Sequence, residues 1–168
     1  MTGAPLILDA AGLDALTQQP PPDRLRALLA EAWERKSDVL VPALVCAECC
    51  RGAGRTRAVE SALARHRETR AARPAVRVVP TDFDLARRVG SVLHGAGTDT
   101  NDIVDAHSVA VASMHGRAVV VTADPDDILR LASAMPAVRI VTPPHANIAL
   151  APCAAARTTS GNGVPAGR

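Results

Sequence analysis

Short apolar runs alternate along this chain with longer stretches in which apolar side chains return every three or four positions. The runs Pro5–Leu8, Val39–Val41, Val76–Val79, Ala118–Thr122 and Val138–Val141 have strand length and read as five β-strands. Between the first two, Gly12–Leu16 is a brief helix. Pro20–Pro22 then breaks the chain, and Asp23 can cap a helix whose Leu25, Leu28, Leu29 and Ala32 share one face. Pro42 suits the first turn of a third helix, which carries Glu48 and ends near Gly52. The arginine-rich stretch Arg55–Arg73 has Val59, Ala62 and Leu63 as its buried stripe. Thr81 can cap a helix bearing Leu85, Ala86, Val89, Val92 and Leu93 at helical spacing. After the loop Gly95–Gly97, two further helices span Asp102–His115 and Pro125–Ala134.

Strands that are apolar throughout and alternate with helices belong to α/β domains, in which a central parallel sheet is covered on both faces. In such sheets ligands bind outside the carboxyl ends of the strands. Asp9 and Asp124 each follow a strand, so they share a rim if their strands are neighbours. Residues 1–145 are expected to form one domain. Residues 146–168 lack periodicity, are rich in Ala, Pro, Ser and Gly, and are expected to be a disordered tail.

Composition narrows the chemistry. Aromatic residues make up 1% of the 168 residues and there is no tyrosine, so the core is aliphatic and stacking platforms for single-stranded nucleic acid are all but missing. Charge is uneven despite the net +2. Ten arginines fall between Arg51 and Arg88, while six aspartates against Arg117 alone fall between Asp99 and Asp127. A basic flank beside an acidic pocket suits a polyanionic substrate that meets metal ions. No apolar stretch of about 18 residues exists, so no membrane span is expected. The N-terminus has no basic region ahead of its apolar run, which predicts no secretory leader and a cytoplasmic protein. Cys46, Cys49 and Cys50 lack a second pair or a nearby histidine, so they read as small apolar residues of a helix rather than a zinc site. The five histidines have no ligand spacing.

What remains is carboxylates: Asp9, Glu48, Asp105 and Asp124. Each has a structural alternative. Asp124 before Pro125 is the pattern of a helix cap, Asp9 ends a strand where a turn residue belongs, and Asp102 lies three residues after Asp99 in a capping arrangement. Asp105 is harder to explain that way, because its helical neighbours Val109 and Ala112 put it on a half-buried face. Glu48 sits between Ala47 and Cys49 on a helix with little other polarity. Ionised carboxylates do not gather in a partly buried pocket unless a cation neutralises them. If the fold brings them together, the expected occupant is a hard divalent ion. No nucleophile elbow, phosphate loop or dinucleotide fingerprint follows any strand.

The order of these motifs resembles the PIN-domain ribonucleases, especially the VapC-like toxins of type II toxin–antitoxin pairs. The correspondence runs through Leu6-Ile7-Leu8-Asp9, then Ala43–Arg51 with Glu48, then Asp102-Ile103-Val104-Asp105-Ala106, then Val119–Asp127 with Thr122-Ala123-Asp124. It covers roughly residues 4–142. Family members often carry a hydroxyl two residues after the first acid, where this chain has Ala11. The resemblance implies a PIN-like three-layer fold with a central parallel five-stranded sheet flanked by helices. It also implies a Mg²⁺- or Mn²⁺-dependent endoribonuclease whose catalytic and metal-holding residues are Asp9, Glu48, Asp105 and Asp124, supported by Thr122, Asp126 and Asp102. The implied partners are an RNA substrate, a cognate antitoxin and a second copy of the chain.

Other classes fit less well. A dehalogenase-type phosphatase needs a second aspartate where Ala11 stands, and a receiver domain needs a lysine after a late strand, whereas Lys36 is the chain's one lysine. A catalytically degenerate PIN module that binds RNA or protein without cleavage is the remaining alternative, and the presence of all four acids argues against it.

Overall fold

The computed structural model describes residues 3–68, 74–137 and 139–142. Five strands, β1 (Leu6–Leu8), β2 (Val39–Pro42), β3 (Val76–Val79), β4 (Arg117–Val121) and β5 (Arg139–Val141), form one sheet in the order β3-β2-β1-β4-β5. Every pairing is parallel, with Leu6 opposite both Val39 and Val119, and Leu8 opposite Val121. The α/β class read from the sequence is thus the observed one, and β1 and β4 are neighbours.

The sheet is covered on both faces because its central strands are apolar on both. Leu6, Leu8, Val39, Val41, Val76 and Val121 point to one core. It is closed by α1 (Ala10–Thr17), α2 (Asp23–Glu34), α3 (Ala43–Cys49) and α4 (Ala53–Arg65). Ile7, Leu40, Ala118 and Val120 alternate with these and meet α5 (Phe83–Ala96), α6 (Ile103–Ser113) and α7 (Pro125–Ala132). A strand position has period two, so one register serves both layers. Two neighbours of β1 are reached in opposite directions along the sheet, and the switch of direction opens a crevice above β1 and β4. Among the described residues, no helix is long and apolar enough to cross a membrane.

Several boundaries differ from the sequence reading, each for a local reason. Asp82, not Thr81, caps α5, accepting the Leu85 amide at 2.8 Å. Thr81 is instead taken by the buried His107, whose Nε2 lies 3.2 Å from its hydroxyl. Pro22 occupies the cap position of α2, and Asp23 enters the first turn beside Arg26. In the arginine-rich stretch Arg55–Arg73, α4 ends at Arg65, the His66 carbonyl accepts the amide of Val76 at the start of β3, and residues 69–73 lie outside the described residues. The helix expected over Asp102–His115 divides into a 3-10 turn, Thr100–Asp102, and α6. The expected tail, residues 146–168, lies outside the described residues, as do Cys153 and His145.

Candidate metal centre

Asp9 leaves the carboxyl end of β1 and starts α1. Its amide extends the ladder to the Val121 carbonyl at 3.2 Å, and its Oδ1 accepts the Gly12 amide at 3.0 Å. Gly12 permits this approach, since a Cβ there would stand 3.0 Å from the Val121 carbonyl and 3.2 Å from Leu8 Cβ. The side chain is consequently deep, with 4% of the residue exposed. Burial pushes its carboxyl up to about 6, helped by the charge of Glu48, although the hydroxyl of Thr122 and the amides of Gly12 and Ala11 favour the ionised form. Thr122 also accepts the Asp124 amide at 2.9 Å, so one hydroxyl joins the first acid to the loop after β4.

Asp105 lies in the first turn of α6, and Glu48 on α3, which packs against α6. Burial raises the Asp105 carboxyl to about 6 as well, and Asp9, Asp127, Glu48 and Asp102 each add repulsion. Asp9, Glu48 and Asp105 therefore share one electrostatic neighbourhood, reached from three elements. Asp124 is exposed and caps α7, with Oδ1 3.4 Å from the Asp127 amide and Pro125 at the first helical position. It stands on the same rim, two residues beyond Thr122. Asp126 is exposed beside it.

Arg130 of the rim escaped the sequence reading, and Asp127 entered it as the end of the fourth motif. Their spacing of three within α7 was a signal for an ion pair, and they do pair, at 3.1 Å. The contact of Arg130 with Asp102 at 3.0 Å spans 28 residues and had no local signal.

Among the described residues, the rim offers carboxylate and hydroxyl oxygens as metal donors. Cys49 is buried with its thiol 3.6 Å from the Ala10 carbonyl, and burial pushes that thiol up to about 11, so it stays protonated. Cys46 is half-buried in the same helix and Cys50 half-buried at its C-cap, and the described cysteines are free. His107 is turned to Thr81, and burial lowers its basicity. Among the described residues, no group of three or more His, Cys, Asp or Glu side chains is placed to hold a metal ion. The carboxylates form an open, charged group whose donor chemistry fits a hard divalent cation. Cavities of about 360 and 450 Å³ are lined by other residues, among them Gln18 and Arg65 in one and Trp33 and Arg77 in the other.

Arginines border the acids. Arg51 reaches Glu48 at 3.8 Å, and Arg55 binds the Cys49 carbonyl at 3.1 Å and Asp14 at 3.1 Å, tying α4 to α3 and α1. Arg57, Arg87 and Arg88 are exposed.

An α/β sheet of this order with acids at the β1–β4 crevice defines a class of fold, and the sequence places the chain within it. Residues 13–134 match the PIN domain, and the chain belongs to the PIN domain family. The match includes Glu48, Asp105 and Asp124 and begins just past Asp9. Two solved structures share the fold. A chain of the VapBC2 complex of Rickettsia felis, solved on a DNA fragment from its promoter, superposes with a TM-score of 0.57 at 15% identity, covering 83% of this chain and 98% of that one. A chain of FitAB bound to the IR36 DNA fragment gives 0.51 at 18% identity, covering 82% and 94%. A comparison with curated proteins found no match.

Proposed function

We propose that this protein is a metal-dependent endoribonuclease and the toxin of a toxin–antitoxin pair. The observation that carries the nuclease reading is the convergence of Asp9, Glu48 and Asp105 at the β1–β4 crevice, with two of the three carboxyls pushed up to about 6 by burial and repulsion. Such a group is under electrostatic tension until a cation enters. Asp9, Glu48 and Asp105 would hold Mg²⁺ or Mn²⁺, with Asp124 contributing from the α7 cap. A bound divalent ion supplies Lewis acidity and charge neutralisation for phosphodiester hydrolysis. The chain's own residues supply the rest. Gly12 and Thr122 hold the Asp9 carboxylate in one orientation, and the exposed arginines draw the polyanion to the rim. No side-chain nucleophile is required.

The toxin reading rests on the fold shared with chains of VapBC2 and FitAB, both solved as complexes. On this reading the chain works in the cytoplasm, pairs with an antitoxin whose basic side chain enters the carboxylate group, and forms a homodimer. Purified protein should cleave single-stranded RNA with Mg²⁺ or Mn²⁺ and stop in excess EDTA, and Asp9→Asn and Asp105→Asn should abolish cleavage. Undiminished cleavage in EDTA sinks the metal reading. RNA binding without cleavage under every metal condition would instead select the degenerate module.

A further inference from the structure

The metal-site reading leaves three charged side chains of the same rim without a role: Asp102, Asp127 and Arg130. Arg130 Nη2 meets Asp102 Oδ2 at 3.0 Å and Asp127 Oδ1 at 3.1 Å, and its Nε lies 3.4 Å from the same Asp127 oxygen. Asp102 Oδ2 also accepts the Thr98 hydroxyl. These contacts join α7 to the turn that starts α6, the helix carrying Asp105. Asp102 stands at the N-cap of α6, three residues before Asp105, close enough for its charge to repel that carboxylate.

The rim thus holds two kinds of carboxylate. Asp102 and Asp127 are matched to a guanidinium, which stays charged at every working pH and fixes both oxygens through directed N–H bonds. Asp9 and Asp105 have hydrogen bonds or repulsive neighbours as the main influences on their charge, and Glu48 has only the looser, exposed contact with Arg51 at 3.8 Å. Without Arg130, two further anions would stand unpaired within the field of Asp105, deepening the negative potential and offering competing oxygens to any dication.

Resting on the metal-site reading above, we propose that Arg130 is a positioning residue that withdraws Asp102 and Asp127 from the metal-binding set, leaving Asp9, Glu48 and Asp105 to take the ion in a single arrangement. The family resemblance groups Asp102 with the supporting acids, whereas its partners Thr98 and Arg130 make it part of the anchor between α6 and α7.

The test is Mn²⁺ titration of the full chain by calorimetry, with RNA cleavage and melting temperature measured on the same preparations. Arg130→Gln keeps the length and a donor but removes the charge, so Mn²⁺ should bind about three- to tenfold tighter, the effect of one extra unscreened anion nearby. The cleavage rate at saturating Mn²⁺ should fall in the same variant, because extra oxygens permit unproductive arrangements. Arg130→Lys keeps the charge but not the fork that reaches both carboxylates, so its Mn²⁺ affinity should fall between those of the wild type and Arg130→Gln. The double variant Asp102→Asn with Arg130→Gln removes the freed anion and should return Mn²⁺ affinity to within about twofold of the wild type. Unchanged or weaker Mn²⁺ binding in Arg130→Gln overturns the proposal. A fall in melting temperature with weaker binding would show a helix anchor and nothing more. Wild-type protein that binds Mn²⁺ but cleaves no RNA refutes the nuclease reading alone. Wild-type protein that binds no Mn²⁺ overturns the metal reading and this proposal together.

Discussion

Replacing Asp9 by Asn should make the metal-free protein more stable at pH 8, an outcome a purely structural aspartate cannot give. The carboxyl stands near 3.8 in the unfolded chain and about 6 in the folded one, chiefly through burial. Between these values the folded state holds the proton more tightly, so stability falls as pH rises through roughly 4 to 6 and levels off above. At about 1.4 kcal/mol per tenfold change in ionisation, the charged side chain costs the fold about 3 kcal/mol at pH 8. Asparagine removes that cost and keeps an oxygen for the Gly12 amide, but it weakens a charge-assisted cap by about 1 kcal/mol. The net gain is about 2 kcal/mol, or about 4–8 °C in melting temperature for a domain of this size. Thermal denaturation in chelator at pH 4, 6 and 8 measures it, and the difference between variant and wild type should shrink towards pH 4, where the wild type neutralises itself. Saturating Mn²⁺ at pH 8 should raise the wild-type melting temperature and leave the variant nearly unmoved. A variant that melts below the wild type at pH 8 in chelator would refute the reasoning and make Asp9 a cap.

Gly12→Ala should destabilise by about 1–3 kcal/mol, because the new methyl meets a backbone carbonyl and two side-chain carbons at 3.0–3.2 Å. Chemical denaturation reads the loss, and an unchanged midpoint would mean that α1 can move. Asp124→Ala should cost about 1 kcal/mol and Asp124→Asn much less, as expected of the α7 cap. Loss of cleavage in both would make the carboxylate itself necessary, whereas full activity in Asp124→Asn would reduce the residue to its cap. Expression of the chain alone should slow bacterial growth and Asp105→Asn should not, while co-expression with its antitoxin should restore growth. Equal growth with both forms under matched expression removes the support for the toxin reading.

Local pattern was enough for the elements and for the shortlist of acids. Apolar runs of strand length and stripes at helical spacing report which faces leave water, and that depends on neighbours in sequence. The acids were visible because polar residues at the ends of apolar elements are conspicuous, and the proline after Asp124 identified a cap that does form. Local pattern misjudged what competing partners decide. Thr81 is an acceptable cap, yet a buried histidine on α6 claims its hydroxyl, and Asp82 takes the cap instead. Asp102 looked like one acid among several until Arg130, 28 residues away, neutralised it. Nor could sequence tell that Asp9 and Asp105 would resist ionisation while Asp124 stayed in water. Those differences arise from desolvation and from charges brought together by the order β3-β2-β1-β4-β5, which sets β1 beside β4 and α3 beside α6. Burial and Coulomb energy depend on distances through space, and only the packed chain supplies them.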